Sequence, residues 1–170
     1  MSLSKCCTLS FLILTLLVTA PVALALPSDK DAPVEIEADS ADIDQKTATT
    51  TYRGKVKIRQ GSMQLQADKV VITFRNRKPG KLTATGKPAS FKQRPEKNKP
   101  WVTGQGRRIV YDINSEELTL TGDAVLTQNN DSFRSDRIVY DRVKARLKAG
   151  AAAKGSERVK VIIHPAGDAE

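Results

Sequence analysis

The chain has 170 residues, with 28 Lys and Arg against 19 Asp and Glu, a formal net charge of +9. That length suits a single domain, and the charge favours an anionic partner. Its two cysteines are Cys6 and Cys7 and its one histidine is His164, so the body of the chain has no thiol, disulfide or Cys-based metal site and little means for histidine catalysis.

The first 25 residues read as a cleaved signal peptide. Lys5 is a positive start, Phe11 to Val18 an apolar run, and Ala23-Leu24-Ala25 a small-x-small cleavage site. The run is short for a bilayer span and Pro21 closely follows it. Both cysteines precede it, whereas a lipidated cysteine would follow it. Without Lys5 the exported chain has 27 basic against 19 acidic residues, a net +8. Export argues against nucleic acid and leaves anionic glycolipid or anionic polysaccharide, with charge kept for solubility alone as the plain alternative.

From there the chain alternates apolar and polar residues with period two, as strands with one buried face do. Val34 and Ile36 open the series, followed by Val56 and Ile58, Met63 and Leu65, then Val70, Ile72 and Phe74. Leu82 and Ala84, then Ile109, Tyr111 and Ile113, then Leu118 and Leu120 continue it. Ala124 and Leu126, Ile138 and Tyr140, and Val159, Val161 and Ile163 complete it. Threonine is frequent on these stretches, as fits β structure. The segment from Val143 to Ala153 is the nearest to a helical composition, but its glycines and its place in the repeat predict strand and loop.

One phrase recurs along this series: Ala38-Asp39-Ser40-Ala41-Asp42-Ile43-Asp44, Ala67-Asp68-Lys69-Val70-Val71-Ile72-Thr73, Gly106-Arg107-Arg108-Ile109-Val110-Tyr111-Asp112 and Ser135-Asp136-Arg137-Ile138-Val139-Tyr140-Asp141. Its copies begin 29, 39 and 29 residues apart, and Gly54 and Gly122 each fall 16 residues after a copy begins. Such self-similarity means stacked copies of one unit, none able to bury its apolar face alone. The longer interval is expected to reflect insertions at Arg75 to Gly80 and at Arg94 to Pro100. Turns are expected at Gln60-Gly61, Lys78-Pro79-Gly80, Asn114-Ser115 and Gln128 to Asp131. Gly54, Gly86 and Gly122 mark bulges or tight bends, and Pro88 after Gly86 re-aims Phe91 inward. At about three strands per unit, the domain should be all-β with about 14–16 antiparallel strands. A single sheet folded over into a roll or V would bury the apolar face against itself.

Catalytic chemistry finds little support. Asp39, Asp68 and Asp136 belong to the repeat, where a carboxylate can accept backbone N–H bonds at a corner. Nucleophile elbow, phosphate loop and metal-spaced clusters are all missing from the pattern, so neither cofactor nor metal is expected. Phe74 and Tyr140 read as core. Phe91, Tyr111 and Ile113 are either core or lipid contacts.

The stretch Tyr52-Arg53-Gly54-Lys55-Val56-Lys57-Ile58-Arg59-Gln60-Gly61, the following Leu65-Gln66-Ala67-Asp68-Lys69-Val70, and Gly86-Lys87-Pro88-Ala89-Ser90-Phe91, taken with the repeated phrase, resemble the LptA or OstA-like family of periplasmic lipopolysaccharide transport proteins. The resemblance spans about Leu26 to Pro165, leaving 166–170 as a flexible tail. It implies a β-jellyroll of about 16 strands in a V, periplasmic localisation and binding of the lipid A part of lipopolysaccharide. It also implies head-to-tail assembly into a bridge between LptC at the inner membrane and the N-terminal domain of LptD at the outer membrane. Lipid-facing family positions fall on Val34, Ile36, Phe91, Tyr111 and Ile113. With the other inward positions Val56, Ile58, Leu65, Ile72, Phe74 and Leu120, these make up the expected lipid-binding set. The Gly106-Arg107 pair departs from the Ala-Asp or Ser-Asp of the other copies.

An open sheet has two unpaired edges that template another strand. Val34 and Ile36 at one edge and Val159, Val161 and Ile163 at the other are the expected oligomer or partner contacts, in a contact that does not close. Two other readings stand beside the carrier: a structural repeat module whose interior its own side chains fill, and a carbohydrate-processing β-solenoid enzyme. The latter needs a unique outward acidic cluster, and every such cluster in the sequence belongs to the repeat.

Overall fold

In a computed structural model, residues 31–94 and 99–165 are described. The expected leader, its cleavage site, both cysteines, the tail at 166–170 and the middle of the Arg94 to Pro100 loop lie outside the described residues. The described residues form ten strands: β1 (Val34–Glu37), β2 (Ser40–Asp44), β3 (Thr49–Gln60), β4 (Met63–Arg75), β5 (Lys78–Gln93), β6 (Val102–Asp112), β7 (Glu117–Gln128), β8 (Asp131–Asp141), β9 (Arg146–Ala149) and β10 (Lys160–Ile162). All belong to one antiparallel sheet, in which β3 to β8 lie side by side in chain order. β1 and β2 both pair with β3 on one edge, and β9 and β10 both pair with β8 on the other.

Every long strand breaks register halfway along: at Arg53/Val56, Gln66/Lys69, Thr85/Ala89, Gln105/Arg108 and Thr121/Ala124. These breaks stack into a corner that divides the sheet into two arms, one flanked by β1 and β10, the other by β2 and β9. Counted by arms, the six long and four short strands give sixteen segments, within the about 14–16 strands expected. The repeat unit therefore holds four arms, not the three strands expected, because each strand runs on through the corner.

The corner shows how one apolar face serves both arms. In β4, Leu65 and Ala67 face inward, Asp68 and Lys69 both face out, and Val70 and Ile72 face inward again. Two consecutive outward residues flip the period-two parity, so each arm points its apolar side at the other. The second residue of the repeated phrase sits at this bend. Asp39 lies over Gly54, Arg107 over Gly122 and Asp136 over Gly155. At Gly122 a β-carbon would stand 3.0 Å from that of Arg107. Gly54 and Gly122 also hold φ of +81° and +76°, which L side chains adopt only with strain. Arg107 thus fills the seat of Asp39 without changing the corner.

Turn acids lie elsewhere than expected. The carboxylate of Asp44 accepts N–H bonds from Lys46 (2.8 Å) and Thr47 (3.1 Å). Asp112 accepts from Asn114 and Ser115, both at 3.1 Å, and Asp141 from Lys144 at 2.9 Å. These are the last residues of the phrase, where strand gives way to turn. Their turn N–H bonds hold all three carboxyls below the ordinary value, led by Thr47, Ser115 and Lys144 respectively. Of the expected acids at the second position of the phrase, Asp136 does accept a backbone N–H, from Ser156 at 2.6 Å, which helps lower its pKa to about 2.

Two further expectations are corrected. The Lys78-Pro79-Gly80 turn is instead the start of β5, and the chain reverses at Asn76 and Arg77 with φ of 51° and 61°. The expected Arg75 to Gly80 insertion accordingly lengthens β4 and β5 and adds no loop. As expected, Val143 to Ala153 forms no α-helix, giving β9 and a single 3-10 turn at Gly150–Ala153.

Candidate apolar lipid site

Between the two arms lies one continuous apolar cluster that includes Val56, Ile58, Leu65, Val70, Ile72, Ile109, Leu120, Leu126 and Ile138. Toward β6–β8 the arms close on each other, and Ile109, Leu120, Leu126 and Ile138 are wholly buried. Toward β1 they part around a cavity of about 480 Å³. Val34, Ile36, Ile58, Gln60 and Met63 line it from the β1/β10 arm. Tyr52, Ile72, Phe74, Pro79, Leu82, Tyr111, Ile113 and Glu116 line it from the other. Val34 is 54% exposed, and Ile36, Phe74, Tyr111 and Ile113 are half-buried, so the cavity reaches solvent at the β1 edge and at the arm tip.

Of the eleven expected lipid-facing residues, the structure brings Val34, Ile36, Ile58, Ile72, Phe74, Tyr111 and Ile113 together around this cavity. Val56, Leu65, Phe91 and Leu120 do not line it; they are buried in the packed core. Phe91 turns inward at the Thr85/Ala89 register break, as expected, and its ring lies over Gly104 on the paired strand. Tyr52, Gln60, Met63, Pro79, Leu82 and Glu116 were missing from the expected set. Met63 and Leu82 already carried the inward parity, whereas Glu116 sits in a turn where no alternation exists to follow.

The cavity mouth is held by a device repeated along the arm tip. Three backbone bonds recur there, each from the end of a long strand or the residue just past it: Phe74 N–H to Ala48 O (2.9 Å), Ile113 N–H to Gly80 O (3.0 Å) and Arg142 N–H to Glu116 O (3.2 Å). This lashes the turns together and sets Phe74 and Ile113 on the cavity wall.

Both predicted edges lie on the rims of the sheet. Residues 34–37 form β1, while Val161 lies in β10 with Val159 and Ile163 flanking it. Val159, Val161, Ile162 and Ile163 are 41–70% exposed. His164 donates its backbone N–H to Asp131 and is exposed. Among the described residues, no three His, Cys, Asp or Glu side chains assemble as metal ligands, and no helix is long and apolar enough to cross a membrane.

Known proteins resemble this chain in sequence and in fold. The model of the LptA/(LptD N-terminal domain) LPS transport protein family matches residues 35–146. The lipopolysaccharide export system protein LptH of Pseudomonas aeruginosa is 34% identical over 161 residues, covering 89% of this chain and 90% of that protein. LptA of Haemophilus influenzae is 35% identical over 154 residues, with 89% and 88% covered, and LptA of Escherichia coli K12 is 33% identical over 153 residues, with 89% and 81% covered. The crystal structure of P. aeruginosa LptH, described as a periplasmic component of the lipopolysaccharide transport device, superposes with a TM-score of 0.73 at 30% identity, covering 82% of this chain and all of that one. With its folded-over sheet and the apolar wall that this sheet raises, the chain belongs to the LptA/LptD N-terminal domain family of lipopolysaccharide transport proteins.

Proposed function

We propose that this chain is a non-enzymatic periplasmic carrier that holds the lipid A part of lipopolysaccharide between its arms and passes it along a head-to-tail array toward the outer membrane. The observation that carries this reading is the cavity at the β1 edge, which the protein's own side chains leave unfilled. At roughly 30 Å³ per methylene, close to the volume of a liquid water, about 480 Å³ takes about sixteen methylenes. Sheltering them is worth about 13 kcal/mol at ~0.8 kcal/mol each, before the cost of ordering the chains.

A lipid with several acyl chains overflows that space. The overflow occurs at β1, where Val34 and Ile36 are at once cavity wall and sheet edge. A second copy placing its β10 edge against β1 would continue the wall and shelter the remaining chains. LptC and the N-terminal domain of LptD are the partners proposed for the two ends of the array. Photo-crosslinking tests the carrier reading: a probe at Phe74, Tyr111 or Ile113 should capture lipopolysaccharide, and capture only from the outward Lys57 or Arg59 would overturn it. The packed half of the interior, around Leu120 and Leu126, favours the second reading of a self-filled structural module. That module would release no lipid on solvent extraction and mass spectrometry.

A further inference from the structure

We propose that the arm tip carries a binding site for the anionic head group, phosphate or carboxylate, of an amphiphile whose chain occupies the cavity, with Arg142 as its cationic centre and Glu116 as the counter-charge the head group displaces. This rests on the carrier reading and adds to it the residue that recognises charge.

The wall itself points there. Phe74, Ile113 and Arg142 hold the same seat in successive copies, each seven residues after a repeated phrase begins and each bonded through its N–H to a backbone carbonyl at the arm tip, of Ala48, Gly80 and Glu116 respectively. Two of these seats are apolar cavity lining and the third is a guanidinium. The wall therefore changes from apolar to cationic within one step of the repeat, as an amphiphile does where chain meets head.

Arg142 is also turned toward the cavity. One of its terminal nitrogens donates to the phenol oxygen of Tyr111, a lining residue, at 3.1 Å. The same nitrogen stands 3.9 Å from Oε2 of Glu116, also a lining residue, beyond hydrogen-bond length. The two side chains are 20% and 16% exposed. The charge of Arg142 reaches Tyr140 as well, opposing the burial that raises its phenol pKa. Exposed ion pairs contribute little, and partly desolvated ones at long range recover little of their lost hydration.

Glu116 departs from the repeat in the same way. The tenth residue after each phrase begins is Ala48, Arg77, Glu116 or Ala145, and all four hold left-handed backbone, with φ of 50°, 61°, 54° and 47°. Two copies place alanine there and one an arginine; only the copy facing Arg142 places a carboxylate. A guanidinium offers a planar fork that matches phosphate or carboxylate two bonds at a time, a better partner than a carboxylate at 3.9 Å.

The test is calorimetric titration of the purified chain with dodecyl phosphate, dodecanoate and dodecyl maltoside, each below its micellar concentration. The same series is run for Arg142→Gln, Glu116→Gln and Ile113→Trp. We expect Ile113→Trp to weaken all three, because it fills the chain's space. Arg142→Gln should weaken the two anionic amphiphiles about tenfold or more and leave the maltoside unchanged, since charged hydrogen bonds exceed about 1.4 kcal/mol. Glu116→Gln should tighten the anionic pair alone. If no amphiphile binds the parent chain, the cavity reading falls, and this one with it. If all three bind and Ile113→Trp blocks them, yet Arg142→Gln leaves the anionic-to-neutral ratio unchanged or Glu116→Gln lowers it, the head-group site alone is overturned.

Discussion

Phe91 and Gly104 make the packing between strands quantitatively testable. They pair directly across β5 and β6, and the Phe91 ring occupies the space into which a β-carbon on residue 104 would project. Phe91 is 8% exposed. Phe91→Ala should therefore cost about 4 kcal/mol, from lost burial and the void left behind. Gly104→Ala forces the ring aside in a closed interior, costing about 2 kcal/mol. If the two were independent, the double variant would lose about 6 kcal/mol. In the double variant, however, the new methyl meets no ring and fills part of the void. We expect a loss of about 3–4 kcal/mol, a coupling of about 2 kcal/mol or more. Urea unfolding followed by far-ultraviolet circular dichroism gives all four corners of the cycle, and each kcal/mol should move the melting temperature by about 3 °C for a chain of this size. Additivity within about 0.5 kcal/mol would refute the stacking of Phe91 on Gly104, and with it the reading of Phe91 as core in the lipid-free protein.

Acid stability should follow the corner carboxylate. Asp136 has its pKa lowered from 3.8 to about 2, first by the Ser156 N–H, so its contribution is complete above about pH 4 and lost as pH falls through about 2. The urea midpoint should fall over that window in the parent and less in Asp136→Asn; parallel slopes would count against the bond. Gly54→Ala should cost about 1–3 kcal/mol, from a φ of +81° and the overlying Asp39, whereas Gly80→Ala, whose β-carbon meets nothing closer than 3.8 Å, should stay within about 1 kcal/mol. Equal melting shifts for the two would contradict the corner geometry. Ile162→Lys with Ile163→Glu should lower oligomer mass in light scattering at high concentration while leaving the melting temperature within about 2 °C, because both residues are exposed; undiminished mass would exclude the β10 edge from assembly.

Where backbone periodicity carries the information, the sequence is a faithful guide. The inward parity of Val56, Ile58, Ile72, Leu120 and Ile138 is the parity of the core, since a one-residue slip would turn each strand inside out. The spacing of Gly54 and Gly122 is legible for a similar reason: each answers a side chain one strand earlier, Asp39 and Arg107. Alternation does not tell apart residues that close the core from those that line a cavity. Leu120 and Ile72 have the same pattern, and only the distance between the arms at their positions separates them. Turns escape for another reason. Glu116 and Arg142 meet because two loops are brought side by side by strands between them, a juxtaposition no local window contains.

The two rims of the sheet are not straight. β1 and β2 lie end to end along β3, separated by Ala38 and Asp39 at the corner, and β10 and β9 lie likewise along β8. A stray extended peptide can therefore zip along only one arm, four or five residues at most on the β1 and β2 side, before the rim turns away from it. Only a chain that bends at the same height can grip the whole rim. In the proposed array the bend acts as a password: it leaves the edge open to kin that share the corner, and closed to the indiscriminate sheet growth that an exposed strand otherwise invites.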